Sequence, residues 1–186
     1  MASELIVQTL KGPTSGASAN KVIIPSGQTL DASAGTLAPS SGQVISTSIV
    51  EINDSQSSAN TANTFVDTTM VATFTPSNAT SKLYLSISCG GMCEYVNAMA
   101  LRLKQVIDST TTYPVLRSRH AFGANSGLMP LPIHLQCLLS PNTTSQITFT
   151  LQSRVETADV IRINPNDSGA GSDAQAGTFI IQEIAG

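Results

Sequence analysis

The densest chemistry in this chain lies near its middle, in Arg102, Lys104, Arg117, Arg119 and His120, with Tyr113 and Phe122 close by in sequence. Arg102 and Lys104 alternate with Leu101 and Leu103, so in an extended segment the two cations share one face. Arg117 and Arg119 share one side of the next extended piece in the same way. Two such ladders side by side make a cationic patch in a chain whose charged residues amount to only 11%. A patch of that kind recognises anions, either an acidic surface sugar or an acidic neighbour in an assembly. The competing reading is two solvated strand faces with cross-strand partners drawn from Asp108 or Glu94. The expected contact residues are Arg102, Lys104, Tyr113, Arg117, Arg119 and His120.

Signals for other chemistry are thin. Nothing matches a nucleophile elbow, and the glycines and lysine of the Gly12 to Lys21 stretch have the wrong spacing for a phosphate loop. Asn164, Asn166, Ser168 and Gly169 imitate the start of a calcium loop, but Gln175 stands where the bidentate glutamate belongs, and an Asn/Asp/Gly turn is expected there. Carboxylate pairs for glycoside cleavage can be drawn from Glu94, Asp108, Glu156 and Asp159, as in any all-β protein. Cys89, Cys93 and Cys137 are odd in number, so one chain cannot complete a disulfide framework from them. Cys89 and Cys137 fall on apolar faces of alternating segments, where a thiol acts as a small hydrophobe rather than a zinc ligand. His134, with His120 the only histidines, is expected on the outward side of its strand. The expectation is therefore no enzyme, no metal and no cofactor.

The elements that must position these residues are strands. In Lys82 to Cys89 the residues Leu83, Leu85, Ile87 and Cys89 share one face, against Tyr84, Ser86 and Ser88 on the other. Leu131, Ile133, Leu135, Cys137 and Leu139 form a second inward set, and Ile147, Phe149, Leu151 and Val155 a third, with Thr148, Thr150, Gln152 and Arg154 outward. Met99, Leu101 and Leu103 form a further one. Segments at 44–52, 65–74, 113–116, 160–163 and 178–184 bring the set to about nine strands, separated by turns such as Thr75-Pro76-Ser77-Asn78 and Ser140-Pro141-Asn142. No window keeps a helical period for three turns. The fold expected is all-β, an antiparallel jelly-roll-like β-sandwich over residues 44–186.

Residues 1–43 differ in kind. They are rich in Gly, Ser, Ala and Thr and carry short apolar beads: Leu5, Ile6 and Val7, then Val22, Ile23 and Ile24, then Leu30 and Leu37. No bead is long enough to build a core alone, so the segment reads as an arm for attachment and trimerisation. Ser and Thr make up roughly a quarter of the chain, Trp is absent, and the net charge is -3 without a basic tract, which speaks against nucleic acid as a partner. Apolar runs are far short of a membrane span, and Met1-Ala2-Ser3-Glu4 lacks the start of a signal peptide, so synthesis in the cytoplasm is expected. Strand edges built from uncharged Ser and Thr are poorly defended against pairing, and oligomerisation is the natural cover.

The stretch Asn20-Lys21-Val22-Ile23-Ile24-Pro25-Ser26-Gly27-Gln28-Thr29-Leu30-Asp31-Ala32-Ser33-Ala34-Gly35-Thr36-Leu37 resembles an N-terminal arm of virion proteins of tailed phages, marine and cyanobacterial ones in particular. The rest is similar to the C-terminal β-domains of such fibres, through Phe65-Val66-Asp67-Thr68, Phe74-Thr75-Pro76-Ser77 before Lys82-Leu83, Leu101-Arg102-Leu103, and the final Thr178-Phe179-Ile180-Ile181-Gln182-Glu183-Ile184-Ala185. The resemblance implies a homotrimeric appendage on the virion surface. It would be a knob or short tail or head fibre held by its arm to capsid or tail proteins, with the β-domain exposed for host-surface attachment and host surface polysaccharide as a candidate partner. The alternative is a capsid decoration protein that stabilises the particle without binding a receptor.

Overall fold

The computed structural model describes Ser26 and residues 39–53, 56–60, 62–94, 98–114, 117–121, 128–155, 159–163 and 176–186. The chain divides into units Met1–Ala38 and Pro39–Gly186, and the second holds every described strand. The expected arm residues Leu5, Ile6, Val7, Val22, Ile23, Ile24, Leu30 and Leu37 lie outside the described residues, as do Phe122 and the 164–175 segment.

In chain order the strands are β1 (Val44–Ile52), β2 (Gln56–Asn60), β3 (Val66–Phe74), β4 (Lys82–Glu94), β5 (Ala98–Ile107), β6 (Thr110–Thr112), β7 (Arg117–Ala121), β8 (Leu128–Leu139), β9 (Ile147–Val155), β10 (Asp159–Ile163) and β11 (Gly177–Ile184). All pair antiparallel, in two sheets. The first runs β1-β11-β4, with β8 along the other side of β4 and β10 then β2 continuing from the far half of β4. The second runs β3-β9-β5, and β6 and β7 share the remaining side of β5. The chain changes sheet between β1 and β3, β3 and β4, β4 and β5, β7 and β8, β8 and β9, and β9 and β11. That alternation is the two interleaved Greek keys of a jelly roll.

The period-2 pattern explains the core directly. Leu83, Leu85 and Ile87 of β4, Leu101 and Leu103 of β5, Ile147, Phe149 and Leu151 of β9, and Phe179 and Ile181 of β11 are all fully buried between the sheets. Phe149 and Phe179 meet across the interface with ring centroids 6.3 Å apart and planes at 31°, the offset tilted geometry aromatic pairs prefer. Cys89 and Cys137 are free thiols on this apolar side, and burial pushes their pKa up to about 12 and about 11 respectively, so they behave as inert hydrophobes.

Three expectations need correction. Of the strand expected over 113–116, Tyr113 and Pro114 follow the last paired residue of β6, Thr112, and are not in a strand, while 115 and 116 lie outside the described residues. Pro114 has no N–H to give to a ladder. Eleven strands appear among the described residues rather than about nine, because Gln56–Asn60, Thr110–Thr112 and Arg117–Ala121 pair through their backbones with no apolar alternation to announce them. Asp108 is not a strand partner for the basic residues. It holds a left-handed turn position with φ 53° between β5 and β6, a conformation aspartate tolerates.

One end of the sandwich is closed by a buried carboxylate. Glu183, at the last inward position of β11, accepts from the Ser77 amide and hydroxyl at 2.8 Å each, from the Asn78 amide at 3.3 Å and from the Ser46 hydroxyl at 3.2 Å. It thereby ties the β3–β4 loop and β1 to the C-terminal strand. Burial would raise its pKa, but the Ser81 and Ser77 hydroxyls and the Ser77 and Asn78 amides facing it hold it below the usual carboxylate value. The same corner brings Gly42, at φ 84°, against β11, its amide donating to the Ala185 carbonyl at 2.8 Å while the Ala185 amide donates to Gln43.

Candidate anion-recognition face

Alternation along β5 and β9 sends Ala100, Arg102, Lys104, Thr150, Gln152 and Arg154 to the outer face of the second sheet. The pairing register sets Arg102 opposite Gln152, Lys104 opposite Thr150 and Ala100 opposite Arg154. On the other side of β5 the register sets Arg117 opposite Arg102, Arg119 opposite Ala100 and His120 opposite Met99. Two of the expected basic residues, Arg102 and Lys104, thus share a strand whose neighbour carries Arg117 and Arg119. His120 takes the register position of a core residue rather than that of the two arginines.

Arg102 is the best-defined group on this face. Its Nε donates to Gln152 Oε1 at 2.6 Å, and its Cζ lies 4.0 Å from the Phe65 ring centroid and 3.7 Å from that of Tyr113. Two rings on one guanidinium fix its plane as well as its position. Gln152 in turn donates through Nε2 to Asp67 Oδ1 at 2.5 Å, and Lys104 Nζ bridges to Asp67 Oδ2 at 2.7 Å. The acid paired with Lys104 is therefore Asp67 of β3, not Asp108, and the Glu94 side chain lies outside what is described. Burial acts to raise the Asp67 pKa, but the hydrogen bonds from Lys104 and Gln152 and the nearby charges of Lys104 and Arg102 bring it below the ordinary value. This cover leaves Thr150 and Gln152 only 6% exposed although both stand on an outer face.

Arg154 completes the arrangement. Its Cζ sits 5.2 Å from the Phe65 centroid, so two arginines share that ring, and its Nε is buried without a hydrogen-bond partner. Tyr113 remains 48% exposed beside Arg102. Sequence reasoning did not connect Phe65, Asp67, Gln152 or Arg154 to the patch. The outward position of Gln152 and Arg154 was legible, but their neighbours come from segments 50 or more residues away, and only the register joins them.

Elsewhere the chemistry is sparse. Among the described residues no group of three His, Cys, Asp or Glu side chains converges as a metal site would require. His134 is exposed on β8, with the Gln136 amide nitrogen 2.9 Å from its Nε2.

No protein-family model matches the sequence, and no curated protein matches it. Solved structures superpose loosely. The VP2 subviral particle of infectious bursal disease virus shares 14% identity over 94% of this chain and 46% of that one, with a TM-score of 0.36. T=1 particles derived from the same virus give 15% over 93% and 44%, with 0.37, and the Gx strain gives 15% over 88% and 43%, with 0.33. The chain spans less than half the length of these proteins, and likeness at this level is silent on function.

Proposed function

We propose that this chain is a structural protein of a virus particle, a homotrimeric knob or short fibre anchored by its N-terminal segment and displaying the jelly roll for attachment to a host surface. The observation that carries the reading is the outer face of the first sheet. Val44 and Ile49 of β1, Tyr84 of β4, Ile180 and Ile184 of β11 and Leu138 of β8 all stand on it, and Ile45 falls at a register shift beside Val44. Ile49 is 61% exposed and Leu138 56%. Ile49 pairs with Ile180 across the strands and Tyr84 with Leu138, while Ile180 and Tyr84 stand diagonally across β11 and β4, with Ser86 and Gln182 as their direct partners. Large apolar side chains grouped on one exposed sheet face mark an interaction surface.

Glu51 lies at one end of the face on β1, and Lys82 at the other end on β4. In the proposed trimer, a head-to-tail ring would set the lysine of one chain toward the glutamate of the next. The resemblance of the 20–37 stretch to tailed-phage virion arms supports the particle context. A decoration protein would use the same interface and arm; the cationic face on the opposite sheet, left free by this assembly, favours attachment.

Light scattering of the purified full chain should give about three times the monomer mass. A stable monomer at micromolar concentration would overturn the trimer. A chain lacking residues 1–38 should fold and yet be missing from assembled particles, and its presence there at normal copy number would overturn the anchoring role.

A further inference from the structure

We infer that the outer face of the β3-β9-β5 sheet binds a carboxylate-bearing polysaccharide, with the Arg102 guanidinium as its bidentate anchor. The inference concerns the folded domain itself and goes beyond the particle reading; it stands whether or not the chain is mounted on a virion.

The first support is concentration of charge. The chain has nine cationic residues in all, five of them arginines, and four of those arginines together with Lys104 lie on the three adjacent strands β5, β7 and β9. The register sets Arg117 opposite Arg102 and Arg119 opposite Ala100, so the run of cationic positions continues from β5 onto the neighbouring strand.

The second support is how Arg102 is held. Its Nε is committed to Gln152 and its plane is covered by Phe65 and Tyr113, while its two terminal amines have no protein partner among the described residues. A guanidinium fixed at its inner edge and free at its outer fork presents two parallel N–H donors, the geometry that matches a carboxylate. Little rotamer freedom remains to be lost on binding. Arg154 adds a second cation against Phe65 whose Nε has no protein acceptor.

The third support is shape. The site is an open strand face, so a single carboxylate on a small solute gains little, whereas a polymer carrying one per sugar unit engages successive strands about 4.8 Å apart. Thr73, Thr148 and Thr111 stand exposed or half-exposed in one cross-strand row two residues beyond Lys104, and offer neutral hydroxyls suited to sugar hydroxyls.

The test is calorimetric titration of the full chain with polygalacturonate at low salt, with methyl-esterified polygalacturonate, dextran sulfate, single-stranded DNA and poly-glutamate as comparison polymers. Polygalacturonate should bind, the neutral ester should not, and affinity should fall as salt rises. Arg102→Lys keeps the charge but loses the fork, and should weaken binding about tenfold. Because Arg102 is also part of a packed network, Arg117→Ser with Arg119→Ser on the edge strand serves as a second variant, expected to weaken binding and flatten its salt dependence. Lys82→Gln, on the opposite sheet, should leave the affinity for a short galacturonate oligomer unchanged, because that binding needs only one chain. Full retention of affinity in R102K, or equal binding of dextran sulfate or DNA, would reduce the face to unspecific positive charge and overturn the proposal. Tighter binding of poly-glutamate would overturn it in favour of an acidic protein partner.

Discussion

Glu183 has 1% of its surface exposed, a position where an unpaired carboxylate would be strongly disfavoured, so its hydrogen bonds decide whether the sandwich end stays closed. Its pKa is lowered in the folded protein from the ordinary 4.5, the donors outweighing the effect of burial. A carboxyl with a depressed folded pKa contributes stability that is fully present above its unfolded value and is lost as pH falls through the folded value. Thermal melts of the wild type should therefore be level above about pH 5 and decline below pH 4.5. Glu183→Gln cannot ionise and leaves one amide nitrogen among donors, so it should cost about 1–3 kcal/mol at neutral pH and remove this acid limb. An E183Q melting curve with the same decline as wild type would assign the acid sensitivity elsewhere. Asp67 makes the contrasting case. It also carries a depressed pKa, but its side chain is 49% exposed, and solvent screens its pairing with Lys104. Asp67→Asn should cost less than about 1 kcal/mol by denaturant titration, with its main effect on the freedom of Lys104.

At the level of elements, stability is set by whether a strand's alternation meets the opposite sheet. Leu85 is fully buried at the middle of β4, flanked by Ile181 and Cys137 on the adjoining strands, so Leu85→Ala should cost about 2–5 kcal/mol through lost burial and a cavity. Gly42 tests backbone conformation without packing: a Cβ there meets nothing within 4 Å, yet φ is 84°. Gly42→Ala should cost about 1–2 kcal/mol by chemical unfolding, and Gly42→Asn less, since asparagine visits that region more readily. A cost for alanine near zero would mean the corner relaxes away from Gln43 and Ala185. The same distinction explains what could be read in advance. Strands with strict apolar alternation, such as 82–89 and 147–155, were legible down to the inward residues, because the pleat alone converts that spacing into one buried face. Gln56–Asn60 and Thr110–Thr112 were not, because backbone pairing with β10 and β5 makes them strands and their side chains carry no period. The candidate site was legible by half for a related reason. Arg102 and Lys104 announce a shared face locally, whereas Phe65, Asp67 and Arg154 join them only through cross-strand register, which a linear pattern does not encode.

For the molecule as a whole, the two outer faces of one sandwich differ in chemistry. One carries the apolar Ile49, Ile180, Tyr84 and Leu138 among uncharged Thr, Ser and Gln, with Ile49 on its edge strand; the other sets Arg102 and Arg154 against Phe65, and Tyr113 against Arg102. If the apolar face joins copies of the chain, a charge at its centre should break the assembly without touching the core, because Ile49 points away from the buried Val50 and Ile52 side of β1. Ile49→Lys is the sharpest variant, since it buries an unpaired ammonium against Ile180 and the neighbouring copy, at a cost of several kcal/mol per interface in the assembly and near zero in the free chain. The expected outcome is a change from trimer to monomer by light scattering, with the far-ultraviolet β signal kept and the melting temperature made independent of protein concentration. Affinity for polygalacturonate per chain should survive in short oligomers but fall steeply for long polymers, because separated domains lose the avidity of three linked sites. An Ile49→Lys chain that remains trimeric would move the subunit contact off this face, whereas one that unfolds outright, tested beside the milder Ile49→Thr, would show that the strand needs its neighbours to form at all.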